Sequence, residues 1–147
     1  ANLDHAEVRH ALMFKAFDQF ATGGNRDWSA EFLALYSGIK KTAEKRRKDK
    51  EAKRVLNTYP TLPLDAYTGR YEDPLYGLIE VSMQNGTLKL LTNKSLAGTL
   101  VHWNYDTFQV KYDKQWYNSD YLLFRLDAEG KVNELESDGV RFVKSSK

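Results

Sequence analysis

Cysteine is absent from the 147 residues, so neither a disulfide nor a thiolate metal site can contribute to this chain. That absence does not fix a compartment. Long apolar runs are missing too, and nothing approaches the ~20 residues a membrane-spanning helix needs. The first residues, Ala1-Asn2-Leu3-Asp4-His5, lack the basic start and apolar stretch of a secretory leader. A cytosolic protein and a mature or excised piece of an exported one both fit, and the compartment stays open. Proline is scarce at three residues, and two of them, Pro60 and Pro63, fall together near the middle. What the chain does have is a soluble, globular balance, 41% hydrophobic and 29% charged, too apolar for a disordered chain.

The net charge of +2 is unevenly spread. Lys40 to Arg54 holds nine Lys or Arg against three Asp or Glu, or +6, so the rest of the chain carries +2 minus +6, or −4. A nucleic-acid patch is one reading of such a run. Glu44, Asp49 and Glu51 interrupt it, however, and no aromatics are interleaved for base stacking. A solvated helical connector is the reading adopted, with no nucleic-acid partner.

Period-3.6 patterning occupies the front of the chain. Asp4 to Ala21 reads as a helix whose stripe is Val8, Leu12, Ala16 and Phe20, widened by Met13 and Phe17. Asn2 or Asp4 suits its start and Gly23-Gly24 its end. Asp27 is a good N-cap for a second helix with the stripe Trp28, Phe32, Leu35, Tyr36, Ile39 and Ala43. Two helices with such wide apolar faces cannot bury both against each other. They need the β domain, another copy or a missing partner, and self-association through Val8, Leu12, Phe17, Phe20, Phe32 and Leu35 is one expectation.

From Leu64 the period becomes two. Strands are expected near 65–72, 77–84, 87–93, 98–104, 106–113, 120–127, 130–137 and 140–144. Asn85-Gly86 and Asp138-Gly139 are turn dipeptides of the kind that tight hairpins require. About eight short, evenly spaced strands argue for an up-and-down antiparallel barrel or a strongly curled sheet, and the barrel is the reading adopted. The fold class is thus α+β, helices over 1–58 and a barrel over 59–147. Tyr67, Tyr71, Ile79, Val81, Leu88, Leu90, Val101, Trp103, Phe108, Val110, Phe124, Val132, Leu135 and Phe142 should face inward. So many aromatics predict a mostly filled interior.

Few residue sets suggest chemistry. Ser37-Gly38-Ile39-Lys40 places a hydroxyl and an amine on one helical face, as a nucleophile and base would be. No Tyr-x-Asn or Lys-Thr-Gly accompanies it, and a connector supplies no oxyanion hole. No catalytic residue is assigned. His102, the only histidine of the β region, has no Cys or second His near it, so no metal site is assigned and no cofactor is implied. Glu134 and Glu136 share a strand face, which is more often the wet face of a strand than an acid–base pair. Asn85-Gly86-Thr87 and Asn93-Lys94-Ser95 match the glycosylation pattern but read better as turns. Tyr71, Tyr76, Trp103 and Tyr105 are the candidate ligand-binding residues, as the lining of a barrel mouth.

One succession is more specific than any of these. Leu64-x-x-Tyr67-x-Gly69-x-Tyr71-x-Asp73-Pro74-x-Tyr76-Gly77 leads to Val81, then Gly86-x-Leu88-x-Leu90. Leu100-x-His102-Trp103-x-x-Asp106-Thr107-Phe108 follows, then Phe124, Asp127, Gly130-Lys131-Val132 and Phe142. This resembles a domain-of-unknown-function family found at the C-terminus of serine β-lactamase-like hydrolases: class C β-lactamase, penicillin-binding protein and D-aminopeptidase relatives. The resemblance implies a small lipocalin-like antiparallel barrel that is itself non-catalytic. Val8-Arg9-His10-Ala11-Leu12, Phe17-Asp18 and Asp27-Trp28 similarly resemble the closing helix and connector of the hydrolase domain. By that resemblance the chain is the C-terminal piece of a bacterial protein, its partner the catalytic domain, and its role to modulate active-site access or stability. The alternative is an independent small-ligand-binding barrel.

Overall fold

The computed structural model describes residues 6–114, 117 and 119–145; the capping candidates Asn2 and Asp4 lie outside them. The chain divides into two units, Ala1–Lys53 and Arg54–Lys147.

The first unit is a helical hairpin of α1 (Ala6–Phe17) and α2 (Trp28–Ala52). A π-helical turn, Asp18–Thr22, ends α1, and Gly23 follows it in the left-handed region at φ 68°. The Asp18 carboxylate organises the connection, accepting from the Thr22 hydroxyl at 2.7 Å and the Arg26 backbone N–H at 3.3 Å. Asp27 caps α2 as its position predicts, accepting from the Ala30 N–H at 3.0 Å. The seam between the helices is aromatic. Phe14 lies 5.0 Å from Trp28 and 5.3 Å from Phe32, and the Tyr36 hydroxyl is 2.7 Å from His10 Nδ1. The stripe that dominates the α1 sequence is not the one that meets α2. Val8, Leu12 and Phe20 are exposed, and no described residue of this unit is buried.

The second unit is an eight-stranded antiparallel barrel: β1 (Gly69–Asp73), β2 (Gly77–Gln84), β3 (Thr87–Thr92), β4 (Leu96–Asn104), β5 (Thr107–Tyr112), β6 (Tyr121–Leu126), β7 (Val132–Ser137) and β8 (Val140–Ser145). Each strand pairs with its sequence neighbour, and β1 closes the ring on β8 through Arg70–Ser145, Tyr71–Lys144 and Glu72–Val143. The turns are made by residues that tolerate positive φ: Asn85-Gly86 at 50° and 74°, Asp138-Gly139 at 47° and 82°. The expected first strand begins late, because Leu64–Tyr67 is a 3₁₀ turn. Tyr67 still enters the core from it.

Tyr67, Tyr71, Phe108 and Phe124 pack edge to face inside, with ring centroids 5.1 to 5.7 Å apart. Ile79, Val81, Leu88, Leu90, Val110, Val132, Leu135 and Phe142 complete the expected core. Leu100 and Leu122 join it unpredicted. Val101 does not. Strand β4 sends Gly98 and Leu100 inward, so Val101 lies on the outer wall. The ladder then shifts register between His102, opposite Phe108, and Asn104, opposite Thr107. Trp103 is the extra residue of that β-bulge. It is buried but stands outside the core cluster, meeting Tyr121 edge-on with ring centroids 4.9 Å apart. The inward member of the His102-Trp103 pair is His102, whose ring meets Phe108 edge-on at 5.7 Å.

Candidate functional site

The four aromatics expected at one mouth do not share one. Tyr71 is fully buried and donates its hydroxyl to the Tyr67 carbonyl at 2.8 Å. Tyr76 sits 54% exposed in the β1–β2 turn. Tyr105 sits 57% exposed in the β4–β5 turn. With strands that alternate in direction, these two turns are at opposite ends of the barrel. Trp103 is on the outer wall.

What the fold does assemble is a polar cluster at the end where the chain enters the barrel. Residues 54–62 run along the β4–β5 turn and are fixed there at three points. The Arg54 guanidinium donates to the Trp103 carbonyl at 2.9 Å and the His102 carbonyl at 3.3 Å, and lies 4.6 Å above the Trp103 ring. The Tyr105 N–H donates to the Thr58 hydroxyl at 3.2 Å, and the ring of His102 reaches back to the Tyr105 carbonyl at 2.9 Å. The third point is Asp106. Its Oδ1 accepts from the Tyr67 hydroxyl and from the Thr61 N–H at 2.9 Å, while Oδ2 accepts from the Thr61 hydroxyl at 2.7 Å. The Leu62 N–H donates in turn to the Tyr67 oxygen at 3.1 Å.

The electrostatics follow from that arrangement. Burial acts to raise the Asp106 pKa, but the hydrogen bonds from Tyr67 and Thr61, with the His102 charge, outweigh it and hold the carboxyl below its usual range. Burial, reinforced by the bond to Asp106, pushes the Tyr67 phenol up to about 12. A carboxylate bonded on both oxygens in this way is a fixed acceptor. The cluster's chemistry is anchoring. In the sequence Asp106 stands within the Asp106-Thr107-Phe108 succession and Arg54 at the end of the basic run, while no local pattern marks Thr58 or Thr61. Only coordinates bring residues 45 apart in sequence onto one carboxylate.

Elsewhere the candidates stay apart. Ser37 and Lys40 are both exposed on α2. Glu136 accepts from Arg125 Nη2 at 2.5 Å and approaches Arg141 at 3.8 Å on the outer wall. Glu134 pairs with Arg125 across the β6–β7 ladder. Lys144 points its amine at the Ala66 carbonyl, 3.0 Å away, and burial lowers its pKa. Among the described residues no three His, Cys, Asp or Glu are grouped to hold a metal ion, and no helix is long and apolar enough to cross a membrane. Two clefts remain. One, of about 640 Å³, lies over β1–β4 beside Arg70, Glu80 and Lys89. The other, of about 610 Å³, lies between the helices beside Val8, Leu12, Trp28 and Leu33.

A closed antiparallel ring entered through a strap, with a helical hairpin ahead of it in the chain, defines the architecture. The chain belongs to the family described as Domain of unknown function (DUF3471), whose model matches residues 53–144. No curated protein matches it. Among solved structures, the C-terminal domain of penicillin binding protein Rv0907 is 24% identical, with a TM-score of 0.51 over 63% of this chain and 94% of that one. SurE bound to D-Leu is 18% identical, with a TM-score of 0.53 over 62% of this chain. A second SurE structure matches with the same score and identity. The match spans only 22% of the SurE chain. At these identities the likeness is one of fold.

Proposed function

We propose that this chain is a non-catalytic C-terminal accessory domain of a serine β-lactamase-related, penicillin-binding-protein-like hydrolase, with a lipocalin-like barrel that modulates access to the active site or the enzyme's stability. The observation that carries the reading is the barrel interior. It is occupied by the side chains of Tyr67, Tyr71, Phe108 and Phe124, and the Tyr67 hydroxyl is engaged with Asp106 and the Leu62 N–H of the entry strap. The family membership and the fold shared with a penicillin-binding protein's C-terminal domain support it. Its partner is the hydrolase's catalytic domain, and the Asp27-capped helix is the connector. The alternative, an independent ligand-binding barrel, draws no support from Tyr71, Tyr76, Trp103 and Tyr105, which have no common mouth.

The test removes residues 60–147 from the full-length hydrolase. Altered substrate range, kinetics or melting temperature is the expected result. Unchanged values for all three would overturn the reading.

A further inference from the structure

The outer wall of the barrel is not uniform. Over β6–β8 its charges satisfy one another, since Arg125 and Arg141 both reach Glu136. Over β1–β4 they do not. The ladders set Arg70, Glu80, Leu91 and Ala97 in one row across the four strands, and Ser82, Lys89 and Thr99 in the next. The cleft of about 640 Å³ lies over these rows, and Asp113, whose N–H donates to the Ala97 carbonyl, ends the first of them. Of the charged side chains lining the cleft, two pair off, the Arg70 guanidinium lying 3.5 Å from the Glu80 carboxylate. Lys89 and Asp113 are left without an ion pair among the described residues. Lys89 is half-buried, and its ammonium uses one donor, on the Thr99 hydroxyl at 2.6 Å. The Ser82 hydroxyl opposite it has no side-chain hydrogen bond among the described residues. A half-buried ammonium without a counter-charge favours an anion, which would accept its remaining N–H groups.

We propose that this cleft binds a small zwitterion, a free amino acid or a dipeptide, with its carboxylate on Lys89 and Ser82 and its ammonium on Asp113. Three features set that class. The unpaired charges are one of each sign, so a simple anion or a simple cation would leave one of them without a partner. They are close together: with Lys89 drawn over to Thr99, the ladder spacings put its ammonium about 8 Å from the Asp113 α-carbon, a gap that an amino acid or dipeptide spans and a longer extended peptide exceeds. Between them Leu91 and Ala97 offer an apolar floor to a short side chain. Binding on this outer wall is independent of the filled interior and of any accessory role, and the deletion test above neither supports nor removes it.

Nuclear magnetic resonance titration of the isotope-labelled full chain tests this, with alanyl-valine and valine as probes. Saturable shifts at Ser82, Leu91 and Ala97 are expected from at least one of them. The tighter binder distinguishes a peptide from an amino acid as the occupant, and either supports the assignment. Amidating the probe's carboxylate should weaken binding about tenfold in the native protein and not in Lys89→Gln. Acetylating its amine should do the same in the native protein and not in Asp113→Asn. Lys111→Gln removes the same charge from the register position beyond Thr99, outside the cleft lining, and should leave affinity within about twofold. A thermal transition retained in each variant shows that the barrel still folds. No saturable shift up to about 10 mM probe, or equal losses in Lys89→Gln and Lys111→Gln, would overturn the proposal.

Discussion

The Tyr67 hydroxyl donates to Oδ1 of Asp106, joining the residue that enters the core first to the turn between β4 and β5. Thr61 binds both oxygens of the same carboxylate. One side chain therefore terminates three separate stretches of chain.

Asp106→Ala should destabilise the barrel by about 1–3 kcal/mol, because it leaves the Thr61 N–H and the Tyr67 hydroxyl without their acceptor. Urea unfolding followed by far-UV circular dichroism measures this. A loss below about 0.5 kcal/mol would mean that water replaces the carboxylate at little cost.

The same carboxyl sets an acid limit. Its folded-state pKa is depressed, so its stabilisation is complete above the ordinary aspartate pKa of about 3.9 and is lost as pH falls through the lower folded value. The melting-temperature gap between the protein and Asp106→Asn should accordingly narrow below about pH 4. A gap that stays constant down to the acid limit would assign the acid response to other groups.

At alkaline pH the sign reverses. Tyr67 titrates at about 12 in the folded state, and burial raises Tyr71 and Tyr112 as well. Their neutral forms are favoured by folding, so stability should be full below about pH 10 and fall as pH rises toward the folded values. Tyrosinate absorbance should then appear together with unfolding rather than before it for these three residues.

Arg54→Ala removes the cation above Trp103 and two hydrogen bonds to backbone carbonyls. Arg54 is exposed, so the expected cost is about 1 kcal/mol or less. The clearer readout is local: faster amide exchange over residues 54–62 and red-shifted emission from Trp103, measured with Trp28 and Trp116 replaced by Phe. Unchanged exchange in the strap would show that Asp106 alone secures it.

Gly77 resists replacement on two counts. It has φ of 88°, and a Cβ there would lie 2.3 Å from Asn93 Oδ1, the atom that accepts from the Leu78 N–H at 2.8 Å. Gly77→Ala should cost about 1–3 kcal/mol through strain and the displaced bond. Gly86→Ala, where nothing lies within 4 Å, should cost less. Equal losses at the two sites would leave only the backbone conformation as the cause.

Most of the barrel was legible because its alternation is regular wherever one face is buried and the other wet. Ile79 and Val81, or Leu88 and Leu90, declare their side at once. The reading failed at Val101 and Trp103 because β4 turns Gly98 and Leu100 inward, the opposite parity, and a large ring outside imitates a core position. The stronger helical stripe does not mark the seam. Val8, Leu12, Ala16 and Phe20 form the stronger stripe, yet Phe14 is the residue that stacks between Trp28 and Phe32. The entry strap was illegible for a different reason: Asp106 binds Thr61 over a separation of 45 residues, and no local period encodes such a bond.

Since β1 and β8 are hydrogen-bonded to each other, the ring has no outermost strand left to lend its backbone to another polypeptide. Peptide capture by strand addition, and stacking of one sheet onto the next, are closed to this unit. Recognition must therefore be written in side chains, on the outer wall and in the turns.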